Sequence, residues 1–127
     1  MQMSDLAAVN RQINADVRYR SDLDLYGRPE WWAVAEGAGD CEDYALSKYR
    51  ALRALGWPQD ALDFAICWTE RGAYHAVLLA HLGGETWVLD NRRAWPTPWR
   101  DMPYRWDRRT VGGSLRHWHA IAAAPAA

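Results

Sequence analysis

Only two cysteines occur in the 127 residues, Cys41 and Cys67, too few for a disulfide framework. The hydrophobic core must therefore carry stability, and each thiol needs its own explanation. Long apolar runs are absent as well. No window approaches the roughly 18 consecutive apolar residues of a membrane span, and the start, Met1-Gln2-Met3-Ser4-Asp5, lacks the basic-then-apolar pattern of a secretory signal. The chain is expected to cross no membrane and to be cytoplasmic by default. Internal repeats, low-complexity stretches and Pro/Gly/Ser-rich linkers are missing too, so residues 1–127 should form one domain, with 122–127 as a frayed tail. An overall excess of charge is also lacking, the net value being -1. The balance is uneven, however: residues 1–90 hold 8 basic and 14 acidic side chains, residues 91–127 hold 7 and 2, and Lys48 is the sole lysine. Nine tryptophans among arginines would suit nucleic-acid stacking, but a near-neutral total favours a solvated basic surface on a small domain.

What is present reads as helices followed by strands. Ser4 can cap a helix over 5–18, in which Leu6, Val9, Ile13 and Val17 recur at helical spacing and Arg11, Asn14 and Arg18 form the polar face. From Tyr19 to Gly39 the pattern is irregular and predicts a long structured loop around Trp31-Trp32. Asp40 can cap a second helix with apolar positions Ala45, Leu46, Tyr49, Leu52 and Leu55, stopped by Gly56. A turn at Pro58-Gln59-Asp60 leads to strands at Phe64–Trp68, Tyr74–Leu82 and Thr86–Asn91, reversed at Gly72 and Gly83-Gly84. A proline-punctuated loop from Pro96 to Pro103 follows, with Tyr104–Trp106 and Leu115–Ile121 as edge strands. The expected class is α+β, helices packed on one face of an antiparallel sheet.

Cys41 falls at the start of the second helix, where unpaired N–H groups and the helix dipole lower a thiol pKa. The flanking Asp40, Glu42 and Asp43 act in the opposite direction unless a cation neutralises them. A nucleophilic thiol needs a base, and His75, on a strand, is a better candidate than His117 or His119 near the basic end. With a two-residue turn at Gly83-Gly84, position 75 lies opposite 92 and Asp90 is its diagonal neighbour. A four-residue turn puts 75 directly opposite 90. Both registers place His75 and Asp90 on one face, whereas a three-residue turn without a bulge separates them. Cys41, His75 and Asp90 thus make a candidate nucleophile, base and orienting acid, while Cys67, inside an apolar strand, reads as core. The clustered carboxylates Asp40, Glu42 and Asp43 offer hard oxygens that suit Ca²⁺, although on the residues alone an acidic helix start stabilised by its dipole suffices.

Gly39-Asp40-Cys41-Glu42-Asp43-Tyr44-Ala45, Lys48-Tyr49, His75-Ala76-Val77-Leu78 and Val88-Leu89-Asp90-Asn91 together resemble the bacterial transglutaminase-like cysteine peptidases of the LapG type. Upstream, Val9-Asn10, Ile13-Asn14, Tyr26-Gly27 and Trp32-Ala33-Val34 echo the same family. The resemblance implies a papain-like, transglutaminase-like core with Cys41 as nucleophile, His75 as general base and acid, and Asp90 as orienting acid. It also implies Ca²⁺ bound through Asp40, Glu42 and Asp43. The Cys41 N–H and a wall at Trp32 are expected to receive the oxyanion. The expected function is a calcium-assisted cysteine peptidase or amidase acting on a peptide or protein, and the compact, signal-free chain suits a phage or prophage protein, in which case it would be virion-associated. Alternatives are a transamidase, or a non-catalytic module of the same fold that holds a polypeptide or nucleic acid.

Overall fold

The computed structural model describes residues 1–17 and 41–121, apart from the side chains of Asp16 and Val17. The predicted loop over Tyr19–Gly39, and with it Trp32 and Asp40, lies outside the described residues, as do Arg18 and the tail 122–127. Helix α1 spans Met3–Val17 and helix α2 spans Cys41–Ala54. Six strands follow: β1 Leu62–Trp68, β2 Tyr74–Leu82, β3 Glu85–Leu89, β4 Thr97–Pro98, β5 Arg105–Val111 and β6 Ser114–Ala120. They form one sheet in the order β4-β3-β2-β1-β5-β6, with every neighbouring pair antiparallel. No helix among the described residues is long and apolar enough to cross a membrane.

Helical spacing in the sequence translates directly into packing. Leu6 and Val9 of α1 and Ala45, Leu46 and Leu52 of α2 bury together against Phe64, Ile66, Ala76, Leu78 and Leu89, which face them from the sheet. The end of α2 closes as a Schellman motif: the Trp57 N–H reaches the Leu52 carbonyl and the Gly56 N–H the Arg53 carbonyl, each at 3.0 Å. Trp57, fully buried, then donates its indole N–H to Asp5 at 3.1 Å, fastening α2 to the start of α1.

The opposite sheet face is also buried. Ala65, Cys67, Val77, Leu79 and Val88 pack under Trp99, Met102 and Trp106, so β1 and β2 are covered on both sides and are mostly apolar, with Asp63, His75 and His81 as the charged or ionisable exceptions. One expectation needs correcting here. Tyr104–Trp106 was expected to be an edge strand, but β5 is seven residues long and lies inside the sheet between β1 and β6. Its polar run Asp107-Arg108-Arg109 disguises an interior strand, and Gly112-Gly113 supplies the same two-glycine reversal that marks the β2–β3 hairpin. Strand β4, only two residues long and built on a proline, lies within the stretch expected as a proline-punctuated loop.

Candidate active site

The β2–β3 hairpin sets the geometry. Leu82 pairs with Glu85 around Gly83 and Gly84, whose φ values of 63° and 78° are those of a two-residue turn that L side chains adopt rarely. The ladder continues to Leu78 opposite Leu89, and in that register Asp90 is the diagonal neighbour of His75 on the face shared with Val77 and Leu79. The structure brings the two side chains together: His75 Nε2 and Asp90 Oδ1 are 2.7 Å apart, both buried.

Asp90 is held from several sides. Its Oδ1 also accepts the Arg92 backbone N–H at 3.0 Å, and its Oδ2 accepts the Tyr104 hydroxyl. Burial pushes the carboxyl up, but the hydrogen bonds from His75, Tyr104 and the Arg92 N–H, with the His75 charge, outweigh it and hold Asp90 below the usual carboxylate range. Tyr104 is fixed in turn, its ring edge-on to His75 at 5.6 Å and its hydroxyl accepting from Arg92 Nη1 at 3.1 Å. The same guanidinium grips Glu70 through two bonds of 3.1 and 3.0 Å. Burial and the neighbouring Asp90 both keep the Tyr104 hydroxyl protonated, so it donates.

Helix α1 supports the loop that follows Asp90. Asn14 Nδ2 donates to the carbonyls of Asp90 at 3.1 Å and Arg93 at 3.2 Å, and Asn10 Nδ2 to those of Arg93 at 2.8 Å and Ala94 at 3.1 Å. Asn14, expected on the polar face of this helix, is a structural clamp. Two asparagines spaced four apart beside the apolar stripe were the available signal.

Cys41 opens α2 and is buried together with Glu42 and Asp43. Its thiol receives the backbone N–H of Ala76, the residue after His75. The helix start does not dominate its ionisation: burial, with Glu42 and Asp90 adding to it, pushes the thiol up to about 12 against the lowering by the Ala76 and Cys41 backbone N–H groups. The expected lowering of this thiol pKa is thus outweighed by desolvation. Cys67, opposite His75 in the β1–β2 ladder and fully buried, points its Sγ at the His75 carbonyl from 3.6 Å and is core, as expected. Of the three expected calcium ligands, Glu42 and Asp43 are buried carboxylates one position apart, the hard-oxygen chemistry the ion needs. Among the described residues no three His, Cys, Asp or Glu side chains form a metal-holding group, and Asp40 lies outside them.

Lys48 is a neighbour of the site that its sequence position does not mark as one. It is fully buried on α2, its Nζ without a hydrogen-bond partner among the described residues and 5.8 Å from the centre of the Tyr44 ring. Burial pushes its ammonium down to about 7, against the pull of Asp90, from an ordinary 10.5. Because the folded value lies below the unfolded one, the unfolded chain holds the extra proton between those pH values. The cost of burying the ammonium is therefore full below about pH 7 and fades as pH rises toward 10.5. Lys48→Met is expected to stabilise the protein by about 2 kcal/mol at pH 6.5 and by much less at pH 10, read as urea midpoints.

Residues 1–125 match the family described as bacterial transglutaminase-like cysteine proteinase, BTLCP. No curated protein matches the sequence. Among solved structures, Legionella pneumophila LapG superposes with a TM-score of 0.67 at 22% identity, over 94% of this chain and 69% of that one. The calcium-bound form of that protein gives 0.64 at 21% identity over 95% and 74%, and its EGTA-treated form 0.62 at 25% over 84% and 61%. The described residues form two helices on a six-stranded antiparallel sheet, a fold similar to that of LapG, and the family match extends over nearly the whole sequence. This chain belongs to the bacterial transglutaminase-like cysteine proteinase family and is, by that membership, a cysteine peptidase.

Proposed function

We propose that the chain cleaves a peptide or protein by acyl transfer through Cys41, with His75 as base and acid and Asp90 as the orienting carboxylate. The observation that carries this reading is the buried 2.7 Å bond between His75 Nε2 and Asp90 Oδ1. It occupies Nε2 as a donor and leaves Nδ1 as the nitrogen able to accept a proton. The Cys41 thiol lies against the Ala76 N–H, next in the chain to His75.

A thiol pushed up to about 12 rests protonated at neutral pH, so transfer of its proton to His75 accompanies attack of Sγ on the scissile carbonyl. Asp90, kept ionised, stabilises the imidazolium that forms. His75 then gives this proton to the departing amine as the C–N bond breaks, leaving a thioester on Cys41. Water, losing a proton to His75, hydrolyses that thioester, and the thiol recovers its proton. The Cys41 backbone N–H receives the oxyanion, and Trp32, which lies outside the described residues, is the expected wall of that pocket. Asp40, Glu42 and Asp43 are the residues that would hold calcium, and the existence of calcium-bound and EGTA-treated forms of Legionella LapG supports calcium as the ion. The bound ion supplies positive charge beside the thiol.

Incubation with a degenerate peptide library, read by mass spectrometry, tests the reading. The wild type is expected to generate new termini and Cys41→Ala none. Cleavage by Cys41→Ala would end it. EGTA is expected to lower Tm by a few degrees, with recovery on adding calcium, through linkage to the folded state.

A further inference from the structure

Beside Asp90 the chain turns outward through Asn91, Arg92 and Arg93, and these residues form one wall of a groove of about 350 Å³. Arg11 and Asn14 of α1 and Tyr44 of α2 form the other. The groove adjoins the proposed centre through three links. Asn91 follows Asp90, Tyr44 lies one helical turn beyond Cys41, and Asn14 is bonded to the Asp90 carbonyl at 3.1 Å.

Its polar groups are of two kinds. Three guanidinium-bearing residues line it, and among the described residues no acidic one does. Arg92 is engaged by Glu70 and Tyr104, whereas Arg11 and Arg93 make no ion pair among the described residues. The second kind is a pair of acceptors. Asn14 Oδ1 and Asn91 Oδ1 are buried with no hydrogen-bond partner among the described residues. The amide of Asn14 is oriented by the two carbonyls its Nδ2 serves, so its oxygen must face the remaining side. Cations in search of an anion, next to acceptors in search of N–H donors, match a carboxylate carried on a polypeptide better than a free anion, which has no N–H to give.

We propose that this groove is a substrate subsite that takes a carboxylate of the polypeptide through Arg11 and Arg93, while Asn14 and Asn91 accept its backbone N–H groups. The proposal rests on the peptidase reading above and adds a preference for acidic sequence flanking the cleaved bond.

Binding to Cys41→Ala, which holds substrate without turning it over, tests it at low ionic strength by calorimetry. Three hexapeptides serve as probes: a capped one with a central Glu-Glu, its capped Gln-Gln twin, and the Gln-Gln peptide with a free C-terminal carboxylate. The capped Glu-Glu peptide is expected to bind at least about fivefold more tightly than its twin. Adding Arg11→Gln and Arg93→Gln should erase that difference, while Arg116→Gln on the outer strand β6 leaves it intact. If the third peptide also gains affinity, and loses it with the two arginines, the same subsite accepts a terminal carboxylate. Equal behaviour of the twins, absence of binding by both included, overturns the proposal, as does a preference that survives both substitutions. The peptidase reading is tested separately by His75-dependent alkylation of Cys41, which the arginine variants should retain at the wild-type rate.

Discussion

Replacing His75 with alanine is expected to slow alkylation of Cys41 by iodoacetamide at pH 7.5 at least about a hundredfold. Burial pushes this thiol up to about 12, so only a trace of spontaneous thiolate exists near neutrality. Reaction in the wild type must therefore draw on a base, and His75, with Nε2 committed to Asp90 at 2.7 Å, offers Nδ1. Asp90→Asn keeps the size and can still accept at Oδ1, but it removes the negative charge that balances the imidazolium. About a tenfold to hundredfold loss is expected, smaller than for His75→Ala. Peptide mass spectrometry after timed labelling measures both. Cys67 provides an internal reference, since it is fully buried and should label slowly in every variant. An unchanged Cys41 rate in His75→Ala would remove the histidine from the mechanism.

How much of this arrangement the sequence made legible depends on the range of the interaction. Local patterns were readable: the stripe Leu6, Val9, Ile13 gave α1, the pattern ending in Gly56 gave α2, and Gly83-Gly84 between apolar runs gave the hairpin whose register joins His75 to Asp90. Contacts across distant segments were not. Tyr104 reaches Asp90 only because β5 packs on β1 and returns the residue beside β2, and no periodicity in a proline-rich stretch announces that. The inward turn of Asn10 and Asn14 depends on a loop 76 to 84 positions away. The strand expected at Tyr104–Trp106 gives no sign of its continuation to Val111 or of its interior position, because Arg109 and Thr110 are polar for a reason that lies in another strand, the carboxylate of Asp63.

That carboxylate also shows why the choice of site histidine needed more than pattern. Strand β2 carries two histidines on one face, each bonded to an aspartate: His75 to Asp90 at 2.7 Å and His81 to Asp63 at 2.8 Å. The second pair is saturated. Asp63 Oδ1 accepts from Thr110 Oγ1 at 2.7 Å and the Gly113 N–H at 2.8 Å, and Oδ2 accepts from Arg109 Nη2 at 2.9 Å. His81 is additionally tied to Thr86 Oγ1 at 3.1 Å, so neither of its nitrogens is open to a substrate. The pair proposed for catalysis is the other one, whose His75 precedes Ala76, the residue that gives its backbone N–H to the Cys41 thiol.

Saturation makes Asp63 a fastening for the sheet, and Asp63→Ala is expected to cost about 3–5 kcal/mol. The residue is 1% exposed and ties β1 to β2, β5 and the β5–β6 turn. Alanine would leave the Gly113 N–H and the Arg109 guanidinium facing an empty space. The turn packs closely on the backbone of Gln59 at Gly113, where a Cβ would stand 2.2 Å from the Gln59 carbonyl oxygen, so it has little room to move toward that neighbour. Asp63→Asn keeps the volume and one acceptor but sets an NH₂ against Arg109 and His81, so an intermediate loss of about 2 kcal/mol is expected. Burial raises the Asp63 carboxyl, but bonds from His81, Thr110 and Gly113, with the Arg109 charge, carry it below its ordinary value of 3.8. The unfolded chain thus takes up the proton first as pH falls. The contribution is fully present above the unfolded value and is lost as pH drops through the folded one. Urea midpoints of wild type and Asp63→Ala should accordingly lie far apart at pH 7 and draw together below about pH 4. Asp90, depressed in the same direction, is common to both proteins and cancels in the comparison. A gap that stays constant with pH would mean that the carboxylate's charge is not what joins these strands.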